Sequence, residues 1–286
     1  MKGEHTVRHL CELLNVSRSG YYTWRQNRPT QRQADDARLA CQIAAAHKVG
    51  RGSYGAPRVV EELRDQGVRT SRRRCARLMR QQGLRGRKKH RRRPRTTDSR
   101  HQQPVVENRL PKCCALTGPN QAWITDITYI RTAEGWLFLA AILDAWSRRV
   151  VGWTCAATLH GALALDALHR AIRARQPAPG LLHHSDRGVQ YASAAYVDAL
   201  HSHGVVQSMS RTGHCGDNAT MESFWSTVKT ETDLADSIPA TRHQAELAVF
   251  DYIETFYNPT RRHSSLGYLS PVAFEKQHTP NHSKAA

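Results

Sequence analysis

Apolar residues recur at helical spacing twice in the first third of the chain. In TVRHLCELLNVSRSGYYTWR (residues 6–25), Val7, Leu10, Leu13 and Leu14 fall on one face, Asn15 marks a turn, and Ser17 is placed to cap a second short helix. Residues 56–83 repeat the plan. Val59, Val60 and Leu63 make an apolar face, Gly67 breaks it, Ser71 caps, and Cys75, Leu78 and Met79 continue to Gly83. From residue 119 the period shortens. Trp123–Thr132 alternates as a strand, 132–135 supplies a hairpin turn, 136–144 forms a second, central strand and Val150–Ala156 a third. A helix over 161–175 follows, with Leu163, Leu165, Leu168 and Ile172 as its stripe. Strand 181–185, helix 193–203, strand 205–209 and helices near 217–231 and 242–257 complete the pattern. Three antiparallel strands followed by alternating helices and strands predict a mixed α/β sheet.

Charge changes the picture of the front. The 286 residues suggest about two domains, and Lys plus Arg number 42 against 24 acids, a net of +18. Residues 1–100 hold 26 basic and 8 acidic side chains, whereas 101–286 hold 16 of each. A basic front on a neutral back predicts a polyanion-binding arm joined to a globular body. Residues 72–95 carry 13 Lys or Arg and no acid, beginning inside the second helix-turn-helix unit and running past it. Arg72, Arg73, Arg74, Arg77, Arg87, Lys88, Lys89, Arg91, Arg92 and Arg93 therefore read as phosphate contacts, the alternative being a solvated tail. A helix-turn-helix can lay its second helix in a major groove, although a plain helical hairpin has the same pattern. The expected division is a helix-turn-helix-like unit at 1–48, a second with the basic run at 49–95, a linker at 96–118, a catalytic body at 119–276 and a tail at 277–286. The run Trp136–Leu143 is too short to span a bilayer, and no signal peptide follows Lys2. Seven cysteines without C-x-x-C spacing argue against a disulfide framework or a cysteine-rich zinc site. A reduced cytoplasmic protein with no membrane association is expected.

Three acids stand out by placement: Asp126 amid the first strand (WITDITYI), Asp186 at the end of the fourth (LLHHSDRGVQY), and Glu222 in the first turns of a helix (CGDNATMESFWSTVKTE). Taken singly they could be a solvent-facing strand acid, a turn aspartate and a surface glutamate. Together, carboxylates from a strand, a strand end and a helix can converge on hard cations that keep open positions for phosphate. No G-x-S-x-G, P-loop or convincing Cys–base pair competes.

These stretches, with GWLFLAAILDAWSRRVVGW and YNPTRRHSSLGYLSP, strongly resemble the catalytic protein of insertion-sequence-3 family transposases, within the DDE transposase and retroviral integrase superfamily. The resemblance extends to SRSGYYTW and YGAPR in front, and the 35 residues between Asp186 and Glu222 match that family's interval. It implies a ribonuclease-H-like α/β catalytic domain behind small all-α helix-turn-helix units, with Asp126, Asp186 and Glu222 as catalytic metal ligands. Two Mg2+ ions per site are implied, with Mn2+ as a substitute. It also implies a DNA-contacting Lys229, seven positions after Glu222 and so on the same helical face. Asp144 matches a family position, and structural hydrogen bonding is its expected role. His183 and His184 should point one to the core and one to the cleft, and Asp217 and Asn218 should cap the Glu222 helix. Before His263 the family often shows Arg-Pro, where this chain has Arg261-Arg262.

The implied activity is metal-dependent cleavage at insertion-sequence ends and transfer of the freed 3′-hydroxyl to another DNA strand, through a copy-out, paste-in route. Implied partners are double-stranded DNA at element ends and target, a second copy of the chain or a higher oligomer, and an upstream-frame protein with a helix-turn-helix and leucine zipper. Two rivals stay open from the residues alone. One is a DNA-binding regulator with an inert body, and the other a ribonuclease acting on RNA–DNA hybrids.

Overall fold

The computed structural model describes residues 5–26, 29–87, 105–110, 115–211, 218–234 and 237–279. The chain divides into two compact units, residues 1–86 and 87–286.

The first unit is all helical. Helices α1 (Val7–Leu13) and α2 (Arg18–Arg25) form as the pattern predicts, with the Thr6 and Ser17 side chains accepting from His9 and Gly20 backbone N–H groups. Their apolar face is not buried, however: Leu13 and Leu14 are 72% and 68% exposed, and Cys11 is the buried residue of α1. A long helix that the pattern does not predict follows, α3 (Gln31–Val49), opened by a reciprocal Thr30–Gln33 capping box. Its stripe is diluted, because only Leu39, Ile43 and Ala46 are buried among polar and small residues. Helices α4 (Ala56–Asp65) and α5 (Arg72–Gln81) bury Val59, Val60 and Leu63 against Cys75, Leu78 and Met79, and α3 packs on both. The division expected at 48/49 thus falls at the end of α3, which belongs with the two helices after it.

The second unit is built on a five-stranded sheet in the order β3-β2-β1-β4-β5. Strands β1 (Ala122–Thr132), β2 (Gly135–Asp144) and β3 (Val150–Ala156) form an antiparallel meander, in which Asp126 stands opposite Ala141. Strands β4 (Leu182–Ser185) and β5 (Val206–Met209) run parallel to β1 and are reached through α6 (Gly161–Arg175) and α7 (Ala194–Ser202). The core lies between sheet and helices, where Trp123, Ala140 and Ile142 meet Leu163, Ala167, Leu168 and Tyr196. Helix α6 approaches β3 closely at Gly152, where a Cβ would stand 2.5 Å from the Ala167 carbonyl oxygen. Any side chain there collides with backbone.

Three further helices complete the unit. Helix α8 is Ala219–Glu231, and α9 (Arg242–Phe250) continues as a wider π-helical turn over Asp251–Tyr257 rather than as one regular helix to 257. The change coincides with Thr255 donating its hydroxyl to the Asp251 carbonyl at 2.6 Å, a side-chain bond that competes with the helix ladder. Helix α10 (Pro271–His278), capped by Ser270, runs two residues past the boundary expected at 276. Part of the expected linker also belongs to this unit, since Val106 packs on the core and the Arg109 N–H donates to Ser208. Among the described residues no helix is long and apolar enough to cross a membrane.

Candidate active site

The parallel pairing of β1 with β4 sets the site. Trp123 lies beside His183 and Ile124 beside His184, so two more residues along both strands bring Asp126 level with Asp186. Asp186 follows β4 directly and turns the chain there, its Oδ1 accepting from the Gly188 N–H at 2.9 Å. The strand end that open α/β sheets offer to ligands is thus lined by two carboxylates.

Helix α8 closes the third side. Asn218, Glu222, Trp225 and Lys229 follow one another at spacings of four, three and four, one stripe of a helix. Trp225 fastens that stripe to β1, its indole N–H donating to Asp126 Oδ2 at 2.9 Å. Asp126 Oδ1 accepts from the Ile127 N–H at 2.8 Å, so both oxygens are held. Lys229 stands with Nζ 5.4 Å from the centre of the Tyr129 ring. Burial lowers its pKa, while the charge of Asp126 opposes that shift.

The electrostatics of Asp126 follow from this crowding. Its carboxyl is pushed up from 3.8 to about 7, first by burial and then by the negative charge of Asp186, with a smaller push from Glu222. Trp225 and the Ile127 amide pull the other way. Asp126 and Asp186 are half-buried and Glu222 is exposed. Among the described residues no three His, Cys, Asp or Glu side chains converge closely enough to cage a metal ion as they stand. The three acids come from three neighbouring elements, β1, the end of β4 and α8, with Glu222 exposed to solvent. An all-oxygen, mutually repelling donor set of this kind fits a hard divalent cation and not a soft one.

Other expected residues fall elsewhere. Asp144 is buried at the end of β2, accepting from Asn120, Trp146 and Ser147 N–H groups at 2.6, 3.0 and 2.9 Å, and so organises a turn. Neither histidine faces a cleft. Both are fully buried, with His183 2.7 Å from the Tyr196 hydroxyl and His184 held between the Ser208 and Ser210 hydroxyls. Residues alternate in a strand, so the pair does split between two faces, but both faces of β4 are covered. Asn218 occupies the N-cap position of α8 without a side-chain cap bond, and its Oδ1 is buried with no hydrogen-bond partner among the described residues. Asp217 lies outside the described residues.

The arginines also divide. Arg72 and Arg73 project exposed from the first turn of α5, while Arg74 Nε and Arg77 Nη2 both bond Asp36 of α3, at 2.8 and 2.6 Å. Arg73, Arg74 and Arg77 line an open concavity of about 730 Å³ with Arg32 and Ser71. Arg87 is engaged by the far end of α8, donating to the Thr230 carbonyl and Asp233 at 2.9 Å. That is the favourable end for a cation. Lys88, Lys89, Arg91, Arg92 and Arg93 lie outside the described residues. Trp225 is the site residue that sequence reasoning missed. Its place midway between Glu222 and Lys229 on their common stripe was the available signal.

A meander of three antiparallel strands, two parallel strands on its first strand, and acids at β1, the end of β4 and α8 define a ribonuclease-H-like integrase core. Residues 117–215 and 203–271 match the integrase core domain, and residues 33–93 match an HTH-like domain. The chain is 44% identical over 270 residues to the insertion element IS600 31 kDa protein of Shigella sonnei, covering 94% of this chain and 98% of that one. It is 40% identical over 278 residues to the transposase InsF for insertion sequence IS3A of Escherichia coli strain K12, covering 96% of each. A solved structure of the HTLV-2 integrase catalytic core domain is a more distant likeness, 18% identical with a TM-score of 0.44, over 56% of this chain and 97% of that one. The chain belongs to the IS3 family of insertion-sequence transposases.

Proposed function

We propose that this transposase carries out its DNA cleavage and strand transfer at the site formed by Asp126, Asp186 and Glu222, which hold divalent cations. Mg2+ is the expected metal, two ions per site, with Mn2+ able to substitute. The observation that carries the reading is that the parallel pairing of β1 with β4 sets Asp126 level with Asp186 while Trp225 ties the Glu222 helix to Asp126, and burial together with the Asp186 charge raises the Asp126 carboxyl to about 7. A carboxyl perturbed by burial together with a specific charged neighbour is a candidate for a functional site. When bound, the metal would polarise the phosphoryl oxygen and lower the pKa of the attacking hydroxyl.

The chain's own residues supply the frame. β1 and β4 set Asp126 and Asp186 side by side, α8 presents Glu222, and Lys229 brings a cation to where a DNA phosphate would lie. Arg72 and Arg73 on α5, with the basic run beyond, hold duplex DNA through its phosphates. Two ends must be joined in one reaction, so a second copy of the chain on the DNA completes the assembly, and an upstream-frame helix-turn-helix and leucine-zipper protein is a further partner. The cytoplasm, where bacterial DNA lies, is the place of action. The test is incubation of the full chain with element-end duplex and Mg2+. Nicked and joined products should form, disappear with chelator, and disappear with Asp126→Asn or Asp186→Asn. Normal turnover in either variant removes that residue from the ligand set.

A further inference from the structure

We propose that Trp225 is a positioning residue for the reaction: its indole N–H fixes the Asp126 carboxylate and ties the helix bearing Glu222 to the strand bearing Asp126. The inference rests on the reading of the three acids as metal ligands. Trp225 is 7% exposed, and an indole N–H buried to that degree needs an acceptor. The acceptor it has is Asp126 Oδ2, at 2.9 Å, rather than a backbone carbonyl.

Three features give that bond a consequence beyond packing. The first is that the other Asp126 oxygen is held by the Ile127 amide at 2.8 Å, so the two bonds together fix the plane of the carboxylate. Its remaining lone pairs are then directed by geometry rather than by rotamer choice. The second is position. Trp225 stands one turn beyond Glu222 and one turn before Lys229 on the same stripe of α8, so one hydrogen bond sets the spacing of both from β1. The third is that Glu222 itself is exposed and so depends on the helix for its placement. Partners that orient a metal-binding side chain typically change metal affinity by about 10- to 100-fold when lost.

The experiment compares the full chain with two forms altered at this residue. One is Trp225→Phe, and the other carries benzothienylalanine, in which sulfur replaces the N–H and the shape of the ring system is kept. Mn2+ binding is read from the electron paramagnetic resonance signal of the free ion, and folding from the thermal midpoint without metal. The benzothienyl form should melt close to the wild-type temperature yet require about tenfold or more Mn2+ for half-saturation. Trp225→Phe should lose at least as much affinity. A benzothienyl form that binds Mn2+ as the wild type does overturns the proposal, and the N–H is then a packing contact. Asp126→Asn separates this failure from that of the underlying reading. If it too leaves Mn2+ binding unchanged, or if the wild type binds none, the three acids are not the ligands and the role of Trp225 falls with them.

Discussion

His183 is a neutral imidazole sealed into β4, and this gives the chain a pH dependence with a definite sign. Burial holds its pKa down to about 3 from an ordinary 6.5, with a smaller contribution from His184. Between those values the unfolded chain takes up a proton that the folded chain refuses. Stability is therefore full above about 6.5 and is lost as pH falls towards 3, by up to about 1.4 kcal/mol per pH unit. Between pH 7 and pH 5 this group by itself removes about 2 kcal/mol, a loss that the raised Asp126 carboxyl offsets because the folded chain holds that proton more tightly than the unfolded one. Urea unfolding should therefore show His183→Asn gaining about 2 kcal/mol relative to the wild type on going from pH 7 to pH 5, and a difference between the two that does not change with pH would assign the acid sensitivity elsewhere. At this scale the sequence was readable where chemistry was written as residue type. Asp126, Asp186 and Glu222 are recognisable because acids beside Ile124 and Ile127, at a strand end and at a helix start need a reason. Trp225 was not, because an aromatic residue in an apolar stripe reads as core. Only its distance to Asp126 shows that its N–H has a separate partner.

The elements carry a different division of labour. On α5, Arg73 is exposed to solvent and so accessible to phosphate, whereas Arg74 and Arg77 are already bonded to Asp36, whose carboxyl they hold below its usual range. Arg73→Ala should then make the salt dependence of DNA binding shallower by about 0.9 in log affinity against log salt, the share of one phosphate. Arg74→Ala should mainly lower the thermal midpoint of the first unit. Equal slope changes in both variants would show that the Asp36 pairs open on DNA. The elements themselves were legible to differing degrees. The meander and α6 announce themselves because their apolar period is clean and Thr132–Gly135 supplies the turn. Helix α3 stays hidden because three buried residues in nineteen give little periodicity, and its helical character comes from capping and from packing on α4 and α5. The π-helical turn at Asp251–Tyr257 escapes for a related reason, since apolar spacing does not distinguish it from a regular helix.

In the whole molecule the excess of basic residues in 1–100 runs past the division of the compact units after residue 86, since residues 1–86 hold 18 basic and 7 acidic side chains and residues 87–100 hold 8 and 1. A fragment of residues 105–286 contains the sheet, α6 to α10 and all three acids, and should fold with a cooperative melt. It should bind duplex DNA far more weakly than the full chain and with a much shallower salt slope. Full-length affinity and slope in the fragment would place the phosphate contacts on the neutral body. The central claim, that three carboxylates hold the cations that drive strand transfer, is tested most directly by joining assays on Glu222→Gln in the full chain. Glu222 is exposed and makes the smallest contribution to the raised Asp126 pKa, so its replacement disturbs the fold least. With element-end duplex and Mg2+, the variant should bind DNA within about twofold of wild type and yield no joined product. Joined product at the wild-type rate would contradict the account.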